Sequence, residues 1–362
     1  MRLLTLVSAA FGFATGVFGQ ARPATHYDVD RTPFVEIGGD GTGTHPLLGA
    51  VFSATKTSQG FVVGESQSAT LLFVDAKGKL LRTVGRQGQG PGEFMGGIFV
   101  NQCAGDSLFA WDTRTNRVSV FTGSGTFVRQ IPAFATRVTC SRAGLIAMLL
   151  RPSAPAPGRG GTGGMMSSIK LLNLAGDSVG GVGQVPWGEN RLFGASTSIA
   201  LRGGELYVGT GREPAIDVYD RGGRLLRRIT FPHPPVRVST AAHERAVEGL
   251  LGAMKRSGIQ NFEQQRATLL AQPVPEVFPP YRQIAVAPNG VTWLLTTQLS
   301  DSVTHLKGVR ADGSVVSEAD LPIGDTVRLL EVGDDYILLT YVTSEGVMEV
   351  GAFRLRARSA ER

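Results

Sequence analysis

Two stretches of the chain, Phe73-Val-Asp-Ala-Lys-Gly-Lys-Leu-Leu-Arg-Thr-Val84 and Val218-Tyr-Asp-Arg-Gly-Gly-Arg-Leu-Leu-Arg-Arg-Ile229, share one layout. Each is an apolar strand, a short turn closing on glycine, and a second apolar strand. Weaker copies run from Val120 to Ile131, Leu171 to Val182 and Val309 to Leu321. Their turn glycines, Gly78, Gly125, Gly176, Gly223 and Gly313, are separated by 47, 51, 47 and 90 residues. A period in this range is that of a four-stranded propeller blade. The last gap leaves room for one blade plus an insertion between Pro232 and Tyr281.

A sixth copy starts at Asp334-Asp-Tyr-Ile-Leu-Leu-Thr340 and reaches Phe353-Arg-Leu355, short of an outer strand. The missing strand is found at the other end of the chain. Phe34-Val-Glu-Ile-Gly38 has the character of Leu81-Arg-Thr-Val-Gly85, and Gly38-x-x-Gly41-x-Gly43 repeats Gly85-x-x-Gly88-x-Gly90 at an offset of 47. The expected fold is therefore all-β, a six-bladed β-propeller closed by an N-terminal strand. Closure removes the open sheet edges that an unfinished array would expose.

Composition agrees with this reading. The chain carries 48 glycines in 362 residues, about twice the usual share of roughly 7%, as many short strands and tight turns require. Asp75 and Asp220 share a turn position, where aspartate stabilises the turn itself. Two stretches break the repeat. Residues 151–168 are rich in Pro, Gly and Ala and are expected to form a flexible loop. Within an insertion of about residues 236–280, Val247, Leu250, Leu251 and Met254 fall at helical spacing. Thr240 is the expected N-cap, Ser257-Gly258 the stop, and Phe262, Leu269 and Leu270 mark a second short helix. Rim packing and a lid or partner-binding role both fit this helical pair.

Arg2, the uncharged stretch Leu3 to Phe18 and the small residues that follow read as a signal peptide over residues 1–19. No cysteine follows it to carry a lipid, and no later segment is long and apolar enough to span a membrane once it is removed. The expected location is periplasmic or secreted. The formal net charge of +6 is scattered, as at Arg224, Arg227 and Arg228 or Arg354, Arg356 and Arg358. Without a basic stripe interleaved with aromatics, nucleic acid is not an expected partner.

Val84-Gly-Arg-Gln-Gly-Gln-Gly-Pro-Gly-Glu-Phe94 resembles the linker between blades in NHL-repeat proteins. Pro275-Glu-Val-Phe-Pro-Pro-Tyr-Arg-Gln-Ile284, followed by Asn289-Gly-Val-Thr-Trp293, looks like the fifth-blade start of exported bacterial propellers of the NHL and TolB-like type. Gly183-Gln-Val-Pro-Trp-Gly-Glu189 is a degraded linker copy. The resemblance spans the mature chain and implies a fold, not an activity, because one fold hosts many activities.

In an antiparallel blade the ends of the second and fourth strands share a face. Loop 151–168, the helical insertion and the glycine-rich linkers therefore crowd one face of the disc, the expected docking surface for a protein, peptide or glycan. Its candidate binding residues are Arg86, Gln87, Gln89, Glu93, Asn190, Arg191, Tyr281 and Arg282. Cys103 and Cys140 each stand five residues before a leucine that opens the next strand, Leu108 and Leu145. They hold equivalent places in adjacent blades, and an oxidising compartment favours a disulfide between them.

Catalytic signatures are weak in the sequence: no Gly-x-Ser-x-Gly elbow and no dinucleotide fingerprint sits between a strand and a helix. The histidines His26, His45, His233, His243 and His305 do not recur at inner-strand positions, which disfavours zinc. Glu65, Asn101, Asn190 and Glu331 are the residues calcium would use. The expectation is a non-enzymatic binding or scaffold propeller, with no cofactor. The alternative is a lactonase-like hydrolase or lyase holding a divalent cation in the central channel.

Overall fold

The structure is a computed structural model that describes residues 26–39, 46–152, 165–189, 191–256, 261–296, 303–323, 327–343 and 345–358. The expected signal peptide, Asn190, the helix stop at Ser257-Gly258 and residues 153–164 of the Pro/Gly loop lie outside them.

Six antiparallel sheets form the chain into a propeller. Their inner strands are Val51–Thr57, Ile98–Gln102, Ala135–Cys140, Ser198–Arg202, Gln283–Val286 and Arg328–Val332. Each inner strand contacts the next, and the sixth contacts the first, so the ring is shut. The sheets pack face to face through six apolar clusters, one for each pair of neighbouring blades. Trp293 fills the layer between blades 5 and 6, Trp111 that between blades 2 and 3, and both are buried. Alternating side chains on each strand thus serve two clusters, one on either side of the blade.

The closing strand lies where the repeat offset places it. Val35–Gly38 pairs antiparallel with Met348–Arg358, in the register Val35↔Ala352 to Gly38↔Glu349. A second segment, His26–Val29, pairs further along the same strand, from His26↔Arg358 to Val29↔Leu355. Arg356 and Arg358 form ion pairs with Asp30 and Asp28, so part of the C-terminal basic cluster is neutralised at the seam. The sequence pattern indicated only the Val35–Gly38 half.

The repeat glycines have a double reason to be glycine. All five hold φ between 84° and 95° in the turn before the outer strand, a region L side chains rarely enter. At four of them a Cβ would also strike the preceding blade, on Gly223 at the Gly181 carbonyl and on Gly78 at the Glu36 carbonyl of the closing strand, whereas on Gly176 it would only touch Ile131. Asp75 and Asp220 cap these turns, each accepting two backbone N–H groups with one carboxylate oxygen.

The insertion forms helices α1 (Thr240–Arg256) and α2 (Phe262–Leu270). Ser239, not Thr240, caps α1, its hydroxyl accepting the Ala242 N–H at 3.1 Å. Val247 and Leu251 are buried against Leu269, with Met254, Phe262 and Leu192 around them, whereas Leu250 points to solvent. Residues 236–238 pair with 276–278 through the bonds Val238 N to Glu276 O and Phe278 N to Val236 O. The helical hairpin thus leaves and rejoins the propeller through one neck.

Candidate functional site

The linker after blade 1 is a folded unit stabilised from within. Phe94 is fully buried, its N–H bonded to Arg86 O and its carbonyl to Gly88 N. Glu93 accepts from Gly90 N–H and from the Arg86 guanidinium, both at 2.7 Å. These bonds, the Gly90 amide foremost, hold its carboxyl below the usual range. Arg117 donates to the carbonyls of Gln89, Gly90 and Glu93 and pins the loop to blade 2.

The other expected site residues on this face are also built into the scaffold. Arg191 pairs with Glu189. Tyr281 is fully buried and donates to Ala215 O at 2.7 Å, and burial pushes its hydroxyl up to about 12. The Arg282 N–H bonds to Leu295 O. Gln87 and Gln89 are exposed on the linker. None of these described residues lines the cavity of the central channel.

A cavity occupies the central channel. It holds about 830 Å³ and draws on the inner strands of all six blades. That volume is in the range of small-molecule sites. Its lining reaches the turns after the inner strands, at Ser58, Arg142, Gly203, Pro288 and Gly333 to Asp335, on the face opposite the helical insertion. Cys103 and Cys140 are disulfide-bonded at this end, with Cα atoms 5.5 Å apart. The bond ties blade 2 to blade 3 beside the channel.

Charge in the channel falls into two zones. Near the turns, Lys56 lies 3.8 Å from Asp335 and 4.4 Å from the Tyr336 ring centre. Glu331 accepts the hydroxyls of Thr55 and Tyr336. Burial, and then the Glu331 charge, raises the Tyr336 pKa far above the usual phenol value, so Tyr336 keeps its proton and donates it. Nearer the insertion-bearing face, Arg328 lies 5.2 Å from the Phe52 ring centre, and Phe52 stacks on Phe99 at 5.6 Å. Arg137, from blade 3, joins this zone from across the axis. Burial lowers the pKa of both guanidinium groups, and for Arg137 the nearby Arg328 charge lowers it further. Five cationic side chains line the channel against three carboxylates.

The described residues considered for calcium, Glu65, Asn101 and Glu331, do not form a metal site. Glu65 is enclosed on the insertion side, where its carboxylate accepts the N–H groups of Gly49, Ala50, Gln67 and Ser68. Burial would raise its pKa, but these bonds and the Ser68 side chain outweigh burial and hold it below the usual value. Asn101 and Glu331 line the channel, the latter already bonded to Thr55 and Tyr336. Among the described residues no three His, Cys, Asp or Glu side chains group as a metal site.

Two solved structures share this architecture. A candidate exported protein from Bacteroides fragilis NCTC 9343 superposes with a TM-score of 0.53 at 12% identity, over 92% of this chain and 96% of its own. A member of the DUF4221 family from Bacteroides vulgatus ATCC 8482 gives 0.53 at 10% identity, over 92% and 99%. The likeness is one of fold. No protein-family model and no curated protein matches the sequence. Among the described residues no helix is long and apolar enough to cross a membrane.

Proposed function

We propose that the chain is an exported, non-enzymatic binding propeller of the NHL and TolB-like type, working in the periplasm or outside the cell, whose ligand enters the central channel. The observation that carries this reading is the 830 Å³ cavity, lined by five cationic side chains against three carboxylates. The linker phrase at residues 84–94, the disulfide and the exported character of a structural neighbour support the family type and the location. A protein or peptide partner on the helical hairpin is the competing reading. The lactonase-like alternative requires carboxylates free to converge on a cation, whereas Glu65 and Glu331 are each bonded within the scaffold.

A small-molecule screen by thermal shift tests the proposal with two variants. Asn101→Trp fills the channel, and Arg86→Ala alters the exposed linker on the other face. Compounds that stabilise the native chain are expected to lose their effect on Asn101→Trp and keep it on Arg86→Ala. The opposite pattern assigns binding to the insertion-bearing face.

A further inference from the structure

Arg137 and Arg328 come from blades 3 and 6, which stand opposite each other in the ring, and both reach the channel. Among the described residues neither guanidinium has a hydrogen-bond or ion-pair partner; the contact shown is Arg328 over the Phe52 ring. Several arginines elsewhere in this chain are matched: Arg227 with Glu205, Arg117 with three carbonyls, Arg266 with Glu248. An arginine presents five donors in a planar fork suited to carboxylate or phosphate oxygens. Two such forks left unmatched in a partly desolvated channel destabilise the empty protein and favour whatever neutralises them.

The surroundings of the pair add a second requirement. Phe52 and Phe99 stack at 5.6 Å with an interplanar angle of 23°, and Phe52 lies beneath Arg328. A ligand reaching the guanidinium groups therefore passes an aromatic wall, which favours a flat apolar body over a bare inorganic ion. Resting on the reading of the channel as the binding site, we infer that its ligand is a small organic anion whose carboxylate or phosphate group is held between Arg137 and Arg328 and whose apolar body packs on Phe52 and Phe99.

Calorimetric titration of the oxidised full chain tests this, using phenyl phosphate, benzoate, inorganic phosphate and neutral benzyl alcohol at one ionic strength. At least one aromatic anion is expected to bind. Its affinity is expected to fall tenfold or more in Arg137→Gln and in Arg328→Gln, and to be lost in Asn101→Trp. Preference for phenyl phosphate over benzoate assigns a phosphate head group, and the reverse a carboxylate. Either arginine variant, measured without ligand, is expected to melt higher than the native chain because like charge is removed. Benzyl alcohol bound as well as the anions, and lost only in Asn101→Trp, would overturn the anion inference and leave the channel as the site. Anion binding untouched by all three variants would overturn both. Absence of binding by every aromatic anion, with both arginine variants melting lower, would remove the inference outright.

Discussion

Ile37 is the residue through which closure of the ring can be weighed. It is fully buried in the cluster between blades 6 and 1, with Val35, Leu48, Phe61 and Val350. Replacing a wholly enclosed isoleucine by alanine costs about 2–5 kcal/mol, the lost transfer energy plus the cavity left behind. The same change in a free N-terminal tail would stay within about 0.5 kcal/mol. The two situations are therefore separated by several times the error of the measurement. Urea unfolding followed by tryptophan fluorescence is a suitable assay because Trp111 and Trp293 are buried between blades. With a denaturant slope of about 3 kcal/mol/M, Ile37→Ala is expected to lower the midpoint by about 1 M. Leu47→Ala is the matched control, since Leu47 is 65% exposed ten residues further on. Equal midpoints for the two variants would mean that Val35–Gly38 does not close the sixth blade.

Three further outcomes are expected. With Cys103 and Cys140 at a sequence separation of 37, the chain-entropy relation gives the disulfide about 4 kcal/mol, so the double Cys→Ala variant should unfold at markedly lower urea, and reductant should lower the native midpoint but not the variant's. Glu65→Gln should cost about 1.5–3 kcal/mol near neutral pH, because a charged acceptor of several backbone N–H groups is lost. The folded carboxyl titrates below its unfolded value near 4.5, so its contribution is complete above that value and fades as acid protonates the native state; the gap between the two proteins should close toward low pH, and a gap independent of pH would refute the assignment. Ser239→Ala should destabilise α1 by about 1 kcal/mol while Thr240→Ala has a smaller effect, measured by local hydrogen exchange in the insertion.

The scaffold was legible because its signals are local and repeated. Gly78, Gly125, Gly176, Gly223 and Gly313 mark turns that need positive φ, and the same residues lie against the preceding blade, so spacing and packing impose one pattern. The closing strand was readable through its offset from Leu81–Gly85, and the insertion through the helical spacing of Val247, Leu251 and Met254. His26–Val29 escaped because a four-residue strand held partly by ion pairs to Arg358 and Arg356 has no counterpart among the repeats.

The channel was harder to read. Elaborate loops drew the expected site to Arg86 through Glu93, where Arg86 and Glu93 bond within their own turn, Arg117 donates to the loop carbonyls, and Gln87 and Gln89 are exposed. Arg137 and Arg328 sit in short strands where one charged residue gives no periodic signal. Their significance comes from blades 3 and 6 facing each other, a relation set by the count of sheets. Setting the six inner strands side by side would have shown Phe52 and Phe99 at matching second positions, with Arg137 and Arg328 near the same, insertion-bearing end of the channel.

A crystal structure of the protein grown with phenyl phosphate would test most directly whether the channel is the binding site. The expected density lies between the guanidinium groups of Arg137 and Arg328, with the ring against Phe52. Ligand density on the α1–α2 hairpin, with only solvent between the two arginines, would contradict the assignment.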